Sequence, residues 1–302
     1  MASAASACAA VDAPRLVTDP AAVRAAVLAA RAAGRRVGFV PTMGALHAGH
    51  MALVERAAAE CDDVAVSIFV NPTQFGPGED FERYPRPLAA DLDQLGRCSR
   101  EAAGHRVRWV FAPEPEVMYP PGHATRVVVE GPAAGFEGAI RPGHFSGVAT
   151  VVCRLFQMVP ATHAYFGAKD WQQTLVVRRM VADLDLPVEV VVCPTVREPD
   201  GLALSSRNAY LSPADRRRAT ALAESLVGAA AAWEAGQEVG PIESTMRHCL
   251  EAGGLEVDYA AVVDAETLLA VAPGRDAVAL VAGRLGGTRL IDNRLLPARG
   301  FA

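Results

Sequence analysis

Val37-Gly38-Phe39-Val40-Pro41-Thr42-Met43-Gly44-Ala45-Leu46-His47-Ala48-Gly49-His50 begins as an apolar run, breaks at a glycine-containing turn and ends with two histidines. An apolar-periodic stretch follows through Met51, Val54 and Ala58, so the segment reads as strand, loop and helix, with His47 and His50 at the helix entrance. The first N–H groups of a helix have no partner within it and carry partial positive charge. Imidazoles placed there can help grip a phosphate, while the glycines let the backbone approach it. Such donors accelerate a reaction when they are aimed at charge that develops in the transition state. Two other readings stay open at this point. Histidines three apart could form a metal pair, although no third ligand of matching spacing is evident locally, or His47 could be a satisfied structural residue.

The fold follows by working outward. Arg36 to Val40, Asp63 to Val70, Arg106 to Phe111, His163 to Phe166 and Val188 to Cys193 are short runs rich in Val, Phe and Ile, separated by helix-compatible segments. That alternation predicts an α/β fold whose parallel sheet is covered on both faces. Ligands of such sheets bind beyond the carboxyl ends of the strands, and the unusual residues fall there: after Val40, Val70, Phe166 and Cys193. Asp19 followed by Pro20, an Ala/Val/Leu stretch and Gly34 punctuates one complete helix.

After Ser212-Pro213 the texture changes to an Ala/Leu/Arg helix reaching Gly236 and a second helix from about Ile242 to Ala252. Strand-like Val257 to Val263, Ala277 to Val281 and Thr288 to Ile291 follow, a small α+β unit. Arg197-Glu198-Pro199-Asp200-Gly201 is turn chemistry, which puts the boundary between Val196 and Ser212.

Composition limits the function classes. The chain has 302 residues, 51% of them hydrophobic, which is enough for a sizeable core and excludes disorder for its bulk. Lys plus Arg total 29 against 34 Asp plus Glu, so no global positive charge favours nucleic acid, and any anion site must be local. No run of about 20 apolar residues suggests a bilayer span. Residues 1–13 lack the features of a secretory or transit peptide and read as a disordered tail. Cys8, Cys61, Cys98, Cys153, Cys193 and Cys249 are scattered without a paired spacing, as expected of thiols in a reducing cytosol.

His47-Ala48-Gly49-His50 resembles the His-x-Gly-His element of the nucleotidyltransferase superfamily. Further blocks are Phe69-Val70-Asn71-Pro72-Thr73-Gln74-Phe75, Tyr84-Pro85-Arg86 and Arg141-Pro142-Gly143-His144-Phe145. Then come Gly167-Ala168-Lys169-Asp170-Trp171-Gln172-Gln173 and Ser205-Ser206-Arg207-Asn208. Together, and in this order, they resemble the pantoate–β-alanine ligase (pantothenate synthetase) family. The resemblance runs from about Gly38 to Leu211, and more weakly to Asn293.

That resemblance implies a Rossmann-like doubly wound ATP- and pantoate-binding domain at 14–197 and a small α+β lid domain at 198–302. It implies a two-step reaction in which pantoate attacks the α-phosphorus of ATP, giving pantoyl adenylate and pyrophosphate, and β-alanine then displaces AMP. The site must keep water from the mixed anhydride.

By the same resemblance the catalytic groups are His50, His47, Lys169 and Arg207, with His50 at the position assigned as proton donor. ATP would contact Met43, His47, His50, Gly167, Lys169, Asp170, Val196, Leu204, Ser205, Ser206 and Arg207. Gln74 and Gln173 would bind pantoate, Gln74 also lying near β-alanine, and Arg141 would help either substrate. Taken alone, Gln74 also reads as a turn residue and Gln173 as a solvated helix position.

Mg²⁺ is implied as well, with Asp91 and Gln94 as ligands on the helix near Leu88, where Leu88, Leu92 and Leu95 form an apolar stripe. A solvated helix flank fits that spacing equally. A cytoplasmic homodimer is implied by the family alone. Two residues depart from its pattern: Ala90 and Ala168 stand where members often carry acids. They keep in view a regulatory nucleotide-binding module without turnover; another nucleotidyltransferase of the superfamily is a second alternative, against which the glutamine pair and the Arg141 block argue.

Overall fold

The computed structural model describes residues 13–101 and 106–299, so Cys8 and residues 1–12 of the expected tail lie outside the described residues. The larger sheet contains β1 (Arg15–Val17), β2 (Val37–Thr42), β3 (Asp63–Ile68), β4 (Arg106–Phe111), β5 (His163–Gly167) and β6 (Glu189–Cys193). Its helices are α1 (Pro20–Ala32), α2 (Ala48–Glu60), α3 (Leu88–Glu101), α4 (Pro115–Met118), α5 (Phe136–Ile140), α6 (His144–Met158) and α7 (Trp171–Asp183). Val37, Phe39, Val40, Val64, Ala65 and Val66 are all fully buried, which is why these strands read as unbroken apolar runs.

Helix α1 is punctuated as its sequence requires. The Asp19 carboxylate accepts from the Ala21 and Ala22 amides, and Gly34, at φ 78°, takes the left-handed position after the last turn. The three-residue β1 is too short to show a pattern in the sequence; it pairs only with β4 at the sheet edge.

All pairings are parallel, in the order β1-β4-β3-β2-β5-β6. From β2 the chain winds outward through β3 and β4, then returns to start β5 on the other side, so the order reverses between β2 and β5. These two strands pair only at Gly38–His163 and Phe39–Ala164, although β2 runs on to Thr42 and β5 to Gly167. The sheet therefore splits at its carboxyl edge, the position where open α/β sheets hold ligands.

The remaining elements are α8 (Pro213–Arg218), α9 (Thr220–Glu234), α10 (Val239–Ala252) and an antiparallel sheet of β7 (Glu256–Asp264), β8 (Ala277–Leu285) and β9 (Thr288–Leu296). They enclose their own apolar core around Leu222, Leu226, Ile242, Met246 and Leu250. Strands β8 and β9 run further than their apolar runs predict. Leu285 pairs with Thr288 across a Gly286-Gly287 turn, and the middle of β9 carries buried polar Asp292 and Asn293, where an apolar criterion stops. Trp171 and Leu175 of α7 pack with Ala265, Leu268, Val278 and Leu280, joining the smaller unit to the larger.

Candidate active site

The turn after β2 is held in a conformation that few residues adopt freely. Gly44 and Ala45 both have positive φ, 80° and 50°. The carboxylate of Asp91, from the first turn of α3, fixes them: its oxygens accept from the Ala45 amide at 2.9 Å and the Leu46 amide at 2.8 Å. Asp91 is buried, at 2% exposure, and burial raises its pKa even against the two amides that favour its charge.

Downstream, His47 is the N-cap of α2. Its Nδ1 accepts from the Gly49 amide at 3.1 Å, and His50 Nδ1 accepts from the His47 amide at 3.3 Å, a reciprocal capping box built from imidazoles. Accepting at Nδ1 leaves the ring proton of each neutral histidine on Nε2. Burial lowers both pKa values, with the neighbouring charges of Lys169 for His47 and of His47 for His50 acting the same way; His50 falls to about 3. Both rings line the cavity. In their neutral forms both rings keep an N–H at Nε2 and can act as hydrogen-bond donors.

That cavity draws on all four loops that the sequence singles out. Its wall includes Met43, His47 and His50 after β2, Gln74 after β3, Gly167, Lys169, Asp170 and Gln173 after β5, and Val196, Leu204, Ser205, Ser206 and Arg207 after β6. A second, larger cavity opens toward the small sheet. It shares Lys169, Asp170, Gln173, Ser205 and Arg207 with the first, so the two form one continuous cleft. The sequence-derived nucleotide and pantoate residues thus face one space, except Arg141, which lines only the outer part.

Local contacts explain how each group is held. Gln74 closes a one-turn 3-10 helix, Pro72–Gln74, capped by the buried Asn71, whose Nδ2 donates to Gln74 Oε1 at 3.1 Å. Helix α6 packs so closely on this turn that a Cβ on Gly147 would stand 2.3 Å from the Thr73 carbonyl oxygen. Of the adjacent glutamines, Gln172 is buried and donates to the Pro132 and Ala134 carbonyls, whereas Gln173 makes no side-chain hydrogen bond among the described residues and faces the cleft. For Asp170, burial pushes the pKa up, but the charges of Lys169 and Arg207 outweigh it and hold the carboxyl below its ordinary range.

Several site-holding residues have no role in the sequence reading. Asp80 grips Arg207 bidentately, at 3.0 and 2.9 Å, and its neighbour Glu79 grips Arg141 at 2.7 and 2.6 Å. His144 donates from Nδ1 to the Gln74 carbonyl and accepts at Nε2 from Arg141. Burial, with the Arg141 charge, pushes its pKa down to about 4. Asn293 of β9 donates to the carbonyls of Ala168 and Lys169 at 2.9 and 2.7 Å. The run Gly76-Pro77-Gly78-Glu79-Asp80 announces a turn in the sequence but not what its acids would hold.

The expected metal pair does not assemble. Asp91 commits both oxygens to backbone amides, neither it nor Gln94 lines the cleft, and Leu88 of the expected apolar stripe is exposed. Ala90 is exposed too, so an acid there would face solvent. Among the described residues no group of three or more His, Cys, Asp and Glu side chains is placed to hold a metal. The residues do not fit a protein-built magnesium site. Spacing along α3 fits a ligand pair or a solvated flank equally, and burial of Asp91 under the neighbouring loop rules out both for that residue.

A split parallel sheet with neutral imidazoles, an ammonium and a guanidinium around one cleft defines a nucleotide-handling α/β enzyme. Comparison with known proteins makes the class specific. The sequence matches the Pantoate-beta-alanine ligase family over residues 15–295, and the chain belongs to that family. It is 56% identical over 266 residues to the pantothenate synthetase of Thermus thermophilus, covering 85% of this chain and 92% of the relative. To that of Roseiflexus castenholzii it is 53% identical, covering 89% and 96%.

Solved structures agree. The crystal structure of the T. thermophilus pantothenate synthetase superposes with a TM-score of 0.85 at 52% identity, covering 93% of this chain and 98% of that one. The Francisella tularensis pantoate–β-alanine ligase, described as complexed with β-γ ATP and β-alanine, gives 0.77 at 32% identity, covering 94% and 98%. The chain is therefore a ligase, and the reading as a regulatory module without turnover falls away.

Proposed function

We propose that the cleft joins pantoate to β-alanine at the expense of ATP, with the residues above in the roles their positions suit. In the first step a pantoate carboxylate oxygen bonds to the α-phosphorus of ATP. The bond from that phosphorus to the bridging oxygen breaks, and pyrophosphate leaves. In the second, the β-alanine amine attacks the acyl carbon of the adenylate, loses a proton and expels AMP. A carboxylate does not react with an amine until its oxygen belongs to a good leaving group, which is what adenylation supplies.

The single observation that carries this reading is that the blocks resembling the family, though scattered over the chain, line one cleft at the split of the sheet. His47 and His50 donate from Nε2 to phosphate oxygens, and Lys169 meets the charge that grows on the leaving pyrophosphate. Ser205, Ser206 and Arg207 supply two hydroxyls and a guanidinium fork to the outer phosphates. Met43, Gly167, Val196 and Leu204 line the nucleoside, and Asp170 lies near its ribose. Gln74 and Gln173 address the hydroxyl and carboxylate of pantoate, amides having no charge to desolvate. Arg141, paired with Glu79, stands at the outer rim, where it helps the second acid.

ATP enters as its magnesium complex, the ion being held by phosphate oxygens and water. The unit at 198–302 covers the cleft as a lid over the domain at 14–197, and X-ray scattering with ATP and pantoate should show the protein compacting. On family grounds the enzyme works in the cytoplasm as a homodimer; no helix among the described residues is long and apolar enough to cross a membrane. Light scattering reads the oligomeric state.

The deciding assay is exchange of labelled pyrophosphate into ATP. Exchange that requires pantoate is expected. Exchange that ignores pantoate would instead favour a different acid as the substrate of this cleft.

A further inference from the structure

Asp91 is a buried carboxylate beside the site, and among the described residues no cation stands against it. Its oxygens are taken by the Ala45 and Leu46 amides, which immediately precede the capping histidine. Those two amides belong to a turn that is costly to keep, since Ala45 at φ 50° sits in a region that a side chain disfavours. On the other side, a Cβ on Gly44 would stand 3.0 Å from both Asp91 Oδ2 and the Ile68 side chain, so turn and carboxylate are fitted closely. From Leu46 the chain passes directly into the capping box that sets which ring nitrogen of His47 and His50 bears the proton.

We infer that Asp91 is the positioning residue of the histidine loop and not a magnesium ligand: it holds the Gly44-Ala45-Leu46 turn so that His47 and His50 present Nε2 to the triphosphate. A carboxylate suits this because both its oxygens are acceptors. An asparagine offers one acceptor, and its NH₂ would face an N–H, replacing a charge-assisted bond by a clash of donors. The inference rests on the adenylating reading, which pantoate-dependent exchange in the unaltered enzyme tests separately.

Asp91→Asn is the first variant. Its kcat for pyrophosphate exchange should fall about tenfold or more, the scale of one lost hydrogen bond to a charged group. KM for ATP should stay within about threefold, because the histidines act mainly on charge that develops in the transition state. The midpoint of the Mg²⁺ titration should not move. Mn²⁺ binding to the nucleotide-free protein, followed by electron paramagnetic resonance, should be the same in variant and parent. Gly44→Ala is the second variant; it disturbs the turn and leaves the carboxylate in place, and should lower kcat with the same unmoved Mg²⁺ midpoint. Thermal melting confirms that each variant folds, and if Asp91→Asn does not, Gly44→Ala decides. An Asp91→Asn enzyme with a several-fold higher Mg²⁺ midpoint or weaker Mn²⁺ binding would overturn the inference, as would unchanged kcat in the folded variants.

Discussion

The two walls of the cleft are built differently. On the histidine wall everything comes from one strand–turn–helix and one supporting carboxylate. The rings of His47 and His50 lie 4.1 Å apart, each anchored through Nδ1 to the helix's own first amides. The cationic wall is assembled from remote chain. Lys169 stands on a turn whose carbonyls are held by Asn293, 124 and 125 residues away, and Arg207 is held by Asp80 at a separation of 127. One wall is therefore capped locally and braced at a single remote point, Asp91, 45 and 46 residues from the amides it holds. The other is held by contacts from the small sheet and the 76–83 loop, so the placement of its cations depends on distant parts of the chain meeting.

The largest expected effect treats the walls as equals. His50→Ala and Lys169→Ala should each lower pyrophosphate exchange by about a hundredfold or more, the scale of one aligned transition-state donor. Near-normal exchange in either would remove that wall from the chemistry. Next in size is the support of the cationic wall. Asn293→Leu leaves two carbonyls without their donor and should cut kcat about tenfold while thermal melting shows a folded protein. A loss confined to stability would make Asn293 a packing residue alone.

A smaller effect is expected at Asp80. Asp80→Asn loosens the Arg207 fork and should raise KM for ATP by about threefold to tenfold, with kcat less affected. If KM fell instead, the ion pair would be a restraint that withholds Arg207 from the nucleotide, and the account of that wall would need reversing.

A separate effect, on stability and not on catalysis, is expected with pH. His50 and His144 are held neutral, with pKa values lowered from 6.5 to about 3 and about 4. Between the ordinary value and those values the unfolded chain binds protons that the folded chain refuses, so stability is complete above the ordinary value and falls as pH drops through the window. The melting temperature should decline from about pH 6.5 downward, and His144→Asn should flatten the decline. An unchanged slope in that variant would mean that His144 is not buried neutral against Arg141.

The same contrast explains what can be read in advance. Helix α1, the strand-to-helix passage at 37–50 and the four loops that meet at the cleft are written in local punctuation and apolar runs, so they are legible from sequence. Resemblance supplies the grouping of Lys169, Arg207 and the glutamines, which no local pattern fixes. Asp91 is misread from sequence because spacing on a helix says which residues share a face but not what covers that face. Here the 44–46 turn covers it. Nothing in the sequence shows what Asn293, Asp80 and His144 hold, since each acts by meeting backbone or charge far along the chain. Gln172 and Gln173 show the limit most plainly: they are adjacent and chemically identical, yet one is tied into the 132–135 turn and touches only the outer cavity, while the other lines both parts of the cleft.

The central claim, that both walls act on one triphosphate, is tested most directly by a double-mutant cycle between His50→Ala and Lys169→Ala in pantoate-dependent pyrophosphate exchange. If the imidazole and the ammonium stabilise the same leaving pyrophosphate, the double variant should be much less impaired than the product of the two single losses. Losses that multiply in full would show two independent sites and contradict the account.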